Sequence, residues 1–324
     1  MITTVVGSYP KLSPDAGAPS LRAAISRHDA GRITVEELRR VEDDVTREVI
    51  QEQIDAGIDL ITDGQIRRDD GQTYFARGIK GFTINGLIRY FDTNTYYRHP
   101  IPERRLEWQG AIGVGDLEFA VAHSARPVKG VITGPYTLAR LSQMGCYRDL
   151  RSLVMDLVPI LNREALALQQ AGAEVVQFDE PAILQHKDDF DLFAEAVEGV
   201  TRGVTARTAV YTYFRDVSGI HSRLFQLPVD IIGLDFVAGP ANYDLVRDFP
   251  PDKMLGFGIV DARNTCLETV EEIASAIGRV SRVVSPDRLH VNPSCGLDFL
   301  PRKSARAKLA RLVDGVRRAQ EVRS

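Results

Sequence analysis

Cysteine is scarce in this chain: the three present, Cys146, Cys266 and Cys295, form neither an even set nor a CxxC pair. That excludes a disulfide scaffold and fits a reducing, cytoplasmic setting. The six histidines show no HxxxH or HxH spacing, so no linear metal motif is present. No charge sign dominates, with 40 basic against 44 acidic residues and a formal net charge of −4. Without a basic stripe, neither nucleic acid nor an anionic membrane surface is expected as a partner. No apolar run is long enough to span a bilayer, and the start of the chain lacks the charged-then-apolar order of a secretory signal. No GxGxxG follows the first apolar run, which removes the usual dinucleotide-binding reading.

What is present is an ordinary globular composition, 44% apolar and 26% charged over 324 residues, read here as one domain spanning residues 1–324. Short β-branched and apolar runs alternate with helical patterns. Strands are expected at Ile2 to Val6, Ile58 to Thr62, Val128 to Thr133, Val175 to Phe178, Thr208 to Thr212, Ile231 to Leu234, Leu255 to Val260 and Leu289 to Val291. Capping boxes at Thr34 with Glu37 and at Thr265 with Glu268 open two of the intervening helices. Between about 64 and 110 the alternation pauses in a stretch rich in Gly, Asn, Tyr and Arg, read as an insertion with a hairpin folded over one end of the sheet. Continuous apolar strands alternating with helices predict a parallel sheet covered on both faces, and eight such units predict a closed (β/α)8 barrel, a TIM barrel. Its active site belongs at the C-terminal ends of the strands.

That rule turns the sequence into a site map. The strand ends carry Ser8, Asp63 with Gln65, Thr133, Asp179 with Glu180, the segment from Tyr213 to Asp216, Asp235, Asp261, and finally Asn292 with Cys295. Each acid alone has a plain reading as a helix N-cap. Converging carboxylates in a partly dry mouth also bind an ammonium group or a metal, or act as acid and base. Of the histidines only His221, just past the fifth strand, is placed as a candidate ligand. The Tyr90, Phe91, Tyr96 and Tyr97 cluster reads as packing of the insertion, with stacking on a flat ligand as the alternative. Cys295 taken alone reads first as a small buried apolar residue in a tight turn, and second as a thiolate that reaches a ligand, a metal or a substrate.

The motifs Val5-Val6-Gly7-Ser8-Tyr9-Pro10, Thr62-Asp63-Gly64-Gln65, Ile132-Thr133-Gly134-Pro135, Gln177-Phe178-Asp179-Glu180-Pro181 and Asn292-Pro293-Ser294-Cys295-Gly296 stand in this order along the chain. Together they resemble the catalytic barrel of cobalamin-independent methionine synthase, in its short single-barrel form. The resemblance implies methyl transfer to a small amino-acid or thiol substrate such as homocysteine, bound to zinc as its thiolate, from a methyl-folate or methylcobalamin donor. A corrinoid protein is the partner that the second donor implies. By motif, Ser8 and the backbone at Val6 would hold the substrate's carboxylate side, Asp179 with Glu180 its ammonium side, and Gln65 stands where the family has an acid. Cys295 matches the last zinc ligand, and the third falls on Asp235.

The first two ligands of the family, a His and a Cys two residues apart, meet Tyr211-Thr212-Tyr213-Phe214-Arg215-Asp216 here. Cys295 and Asp235 alone fall short of the three protein ligands that a catalytic zinc takes. One reading keeps the methyltransferase with an altered metal site. Another makes Arg215 a fixed charge that holds a carboxylate or lowers the Cys295 pKa, so that Asp179, Cys295 and Arg215 form a catalytic set acting on another small carboxylate or thiol. A decarboxylase or carbon–sulfur lyase using Arg67, Arg68, Arg89, Arg98 and Arg215, and a non-catalytic binding protein, complete the alternatives.

Overall fold

Seven parallel strands curl into most of a ring in the computed structural model, which describes residues 1–11 and 21–322. In chain order the strands are β1 (Ile2–Thr3), β2 (Ile79–Arg89), β3 (Tyr96–Trp108), β4 (Lys129–Thr133), β5 (Val175–Asp179), β6 (Arg207–Tyr211), β7 (Ile231–Asp235), β8 (Met254–Val260) and β9 (Leu289–Pro293). The parallel order is β1-β9-β8-β7-β6-β5-β4. Two isolated parallel bridges, Thr4 with Leu60 and Ile61 with Val128, join the ends and close the barrel.

The expected strand at Ile58 to Thr62 is therefore only a bridged segment, and the reason is local. The side-chain amide of Gln53 accepts from the Thr62 N–H at 3.1 Å and donates to the Thr62 carbonyl at 3.0 Å. A side chain from the preceding helix thus takes the groups a strand neighbour would use. The six strands β4 to β9 match the expected runs to within a few residues, and nearly all their residues are buried. Apolar side chains on both faces explain why their sequences read as continuous runs.

Helix Val35–Asp55 starts at the expected capping box, with the Thr34 hydroxyl accepting from Glu37 N–H and the Glu37 carboxylate accepting from Thr34 N–H. Helix Leu150–Gln170 starts at Asp149, whose carboxylate accepts from Ser152 N–H at 2.8 Å. The second expected box is displaced by one turn. Thr269 and Glu272 cap helix Val270–Val280, while Glu268 accepts from the buried Lys308 ammonium at 2.9 Å and from Asp261 N–H. A buried lysine claims the nearer carboxylate, because an unpaired charge there costs more than a helix cap gains.

The insertion holds helix Gly71–Gly78 and the antiparallel hairpin of β2 and β3. The turn lies at Tyr90 to Thr95, closed by Tyr90 N–H on Thr95 O at 2.9 Å, with Phe91 in the left-handed region at φ 49°. Asn85-Gly86 lies within β2, where the register shifts between Asn85 and Ile88. The hairpin tip reaches the C-terminal mouth of the barrel, where Tyr90 Oη stands 3.4 Å from Tyr213 Oη, just past β6.

Candidate active site

Beneath the hairpin tip, a cavity of about 340 Å³ opens at the C-terminal strand ends. Val6, Ser8, Gln65 and Asp179 all line it, so the structure brings together four of the residues singled out in the sequence. Four carboxylates, Asp69, Asp70, Asp179 and Asp298, share its walls with the cations Lys11 and Arg68. Such a mixture suits a small zwitterion.

The first wall is locked by close backbone approach. Ser8 Oγ donates to Asp298 Oδ1 at 2.5 Å, and Leu297 N–H donates to Ser8 O. A Cβ on Gly296 would stand 2.0 Å from Ser8 Oγ. Gln65 sits at φ 55° with its N–H on Asp63 Oδ1, and its amide lies where a Cβ on Gly7 would be 2.4 Å away. A left-handed non-glycine residue costs energy that its surroundings must supply, and such residues cluster at ligand sites.

Asp179 ends β5 with Oδ1 accepting from Gln177 Nε2 at 2.7 Å. Gln177 in turn accepts from Lys129 Nζ at 2.6 Å, deep in the barrel. Burial raises the Asp179 carboxyl, and Gln177, Lys129 and Arg68 oppose that shift. Successive residues at a strand end face opposite ways, so Glu180 does not line the cavity. It is fully buried and accepts from Tyr136 N–H at 3.0 Å and Thr137 N–H at 2.7 Å, filling space that a Cβ on Gly134 would occupy. Expected as a substrate contact, it is instead a buried anchor for the segment after β4.

Arg215 also stands elsewhere. It is exposed, 3.4 Å from Asp92, and borders a second cavity of about 390 Å³ on the far side of Phe214. The cause is Phe214, held at φ 80° by its N–H on Asp235 Oδ2 at 3.0 Å, which turns the chain outward before Arg215. The cation that lowers the Cys295 pKa is Arg263, and it does not prevail. Cys295 is fully buried, and burial, with Asp235 and Asp298 adding, pushes its thiol well above the ordinary range. The arrangement therefore holds a neutral thiol, not a thiolate nucleophile.

The donor set does not fit the zinc that the resemblance implied. Both oxygens of Asp235 are taken by the N–H groups of Phe214, Val237 and Ala238 at 2.8–3.0 Å. Tyr211 ends β6, Tyr213 stands just past it, and His221 does not line the cavity. Among the described residues no group of three or more His, Cys, Asp or Glu side chains is placed to hold a metal ion.

Of the arginines weighed for carboxylate binding, only Arg68 lines the cavity, buried and stacked 4.8 Å from the Tyr74 ring. Arg67 is ion-paired with Asp43 and Asp116, and Arg89 binds Thr93 O within the hairpin. Tyr213, on the site map within the segment after the fifth expected strand, does line the cavity, whereas sequence reading missed Lys11, Asp298 and the placing of Tyr90 and Tyr97 over the mouth. The aromatic run at 89–98 was the available signal, because a ring-rich hairpin tip has to be covered by something.

A family model described as the catalytic domain of cobalamin-independent synthase matches residues 1–318. A protein named methionine synthase from Saccharolobus solfataricus is 36% identical, over 98% of this chain and 95% of that one. Another so named, from Sulfurisphaera tokodaii, is also 36% identical, over 98% and 92%. Among solved structures, a B12-independent methionine synthase from a Shewanella species in complex with selenomethionine superposes with a TM-score of 0.85 at 24% identity, covering 99% of this chain and 98% of that one. A methyltransferase from Methanosarcina mazei does so at 0.64 and 14%, covering 99% and 95%. The chain belongs to the cobalamin-independent synthase family and carries its catalytic domain.

Proposed function

We propose that this protein is an S-methyltransferase that moves a methyl group from a methyl-folate donor to the sulfur of a small amino-acid thiol such as homocysteine. In the balanced reaction a carbon–sulfur bond forms, the methyl group's bond to the donor breaks, and the thiol proton ends on the demethylated donor. The observation that carries this reading is the convergence of Val6, Ser8, Gln65 and Asp179 on one cavity. Asp179 meets the substrate's ammonium, Ser8 and the backbone at Val6 face its carboxylate side, and Gln65 closes the wall between them. Arg68 adds the positive charge a carboxylate needs. Tyr90, Tyr96, Phe214 and Phe299 offer flat apolar surface at the mouth for a folate ring.

The test is direct. Purified protein is given L-homocysteine with either a methyl-tetrahydrofolate or methylcobalamin, and methionine is measured by mass spectrometry, with and without a metal chelator. Methionine formed from methyl-folate, unaffected by the chelator, is the expected result. No methionine from either donor would overturn the reading, and methionine from methylcobalamin alone would replace the donor and bring a corrinoid protein back as partner.

A second reading rests on Tyr211 and Tyr213 standing where soft metal ligands were expected: a zinc-free relative acting on another small carboxylate or thiol by carbon–sulfur chemistry or decarboxylation. A panel of such substrates, followed for product release, separates the two.

A further inference from the structure

Lys129 opens β4 inside the barrel and is 3% exposed, with no carboxylate in hydrogen-bond contact. An ammonium in such a place is costly unless something compensates it. Two groups do. Nζ donates to Gln177 Oε1 at 2.6 Å, and the Tyr211 ring centroid lies 5.0 Å away. That ring is itself fixed, because Gly233 and Gly256 leave it room: a Cβ on either would fall 2.3–2.6 Å from Tyr211 atoms.

An ammonium has donors only, and a glutamine amide has one oxygen and one NH2 group. With its oxygen committed to Lys129, Gln177 has to turn its NH2 the other way. There it donates to Asp179 Oδ1 at 2.7 Å and to Val6 O at 2.8 Å. The lysine thus decides which end of the amide faces Asp179, and through the same amide it ties down the Val6 backbone. Both Asp179 and Val6 line the cavity, whereas Lys129 and Gln177 do not.

We propose that Lys129 is a positioning residue for Asp179: acting through Gln177, it keeps the carboxylate ionised and aimed into the cavity for the ammonium of an amino-acid substrate. This rests on the reading of Asp179 as the ammonium site. Around Asp179, Arg68 from the loop after residue 61 and the Tyr213 hydroxyl also favour the ionised form, while burial opposes it. Tyr90 on the hairpin, Tyr211 on β6 and, from behind, the neighbouring Glu180 complete the titratable groups within electrostatic reach of it. On the far side of Lys129 stand His290 and Arg207.

The experiment is calorimetric titration of L-methionine into the full chain between about pH 5 and about pH 9, for wild type, Lys129→Met and Asp179→Asn. Wild-type binding is expected to weaken as Asp179 takes up a proton. In Lys129→Met that acid limb moves up by about one pH unit, so binding falls about twofold near neutrality and about tenfold near pH 5, and matches wild type on the alkaline side. A merely structural role would weaken binding equally at every pH, and a uniform loss or an unmoved limb in folded Lys129→Met overturns the proposal. If Asp179→Asn binds methionine as wild type does, or wild type does not bind it, the reading of Asp179 fails as well. Should Lys129→Met not fold, the wild type decides through its Lys129 side-chain 15N signal. Besides the titration of Lys129 itself, that signal is expected to show a second step with the acid limb that is lost in Asp179→Asn, and a wild-type signal without that second step overturns the link.

Discussion

Asp179 and Glu180 are neighbouring carboxyls whose surroundings send them to different work. Asp179 opens on the cavity, whereas Glu180 is sealed behind it and burial raises its carboxyl from 4.5 to about 7. Between those values the folded chain holds a proton that the unfolded chain has released, so stability falls as pH rises through that window. Glu180→Gln removes the titration, and the thermal midpoint is expected to lose most of its decline between about pH 5 and about pH 8. Across that range the variant stays about 1–2 kcal/mol below the wild type at its best, since an amide satisfies only one of the two N–H groups. Cys295 gives a second prediction. Cys146 and Cys266 are exposed, so a thiol reagent is expected to label those two in the native protein and Cys295 only after unfolding, read by mass spectrometry of the peptides. Labelling of native Cys295 would contradict the neutral buried thiol. The sequence made Asp179, Ser8 and Gln65 legible because each ends an apolar run. Arg215 was misplaced because nothing in a phenylalanine announces a φ of 80°.

At the level of elements, the turn after β6 depends on a residue from β7. Asp235 accepts three N–H groups, one of them from the strained Phe214. Asp235→Ala leaves these donors without their acceptor and is expected to cost about 3 kcal/mol, seen as a lower denaturant midpoint at unchanged slope. A change below about 0.5 kcal/mol would mean that the turn holds without it. The helix starts show how far local patterns carry. Thr34 to Glu37 is an isolated signal and was legible. Thr265 to Glu268 and Thr269 to Glu272 spell the same signal twice, four residues apart, and only the position of Lys308 forty residues later selects between them. The hairpin was legible as an interruption of the alternation, but its turn was not, since the chain passes Asn85-Gly86 with a register shift and turns at Tyr90 to Thr95.

Across the whole molecule, the alternation of strands and helices followed from the switch between apolar runs and helical periods, while the reduction of the second expected strand to two bridges depended on a glutamine amide that no pattern marks. The barrel interior is less apolar than its strand sequences imply, with Lys129, Gln177, Tyr211, His290 and Asn292 all buried there. Its packing around Tyr211 is tight, so Gly256→Ala is expected to destabilise the protein by about 1–3 kcal/mol, measured by chemical denaturation. No loss would show that the ring has room to move. The same contact constrains how this protein can be changed. Replacing Tyr211 by a smaller ring opens a void over Gly233 and Gly256, and filling either glycine while Tyr211 remains forces a clash. Each single step is unfavourable although the combined exchange need not be. A route that installs an imidazole at this strand end, whether by selection or by design, escapes both penalties only by changing three positions on three strands together.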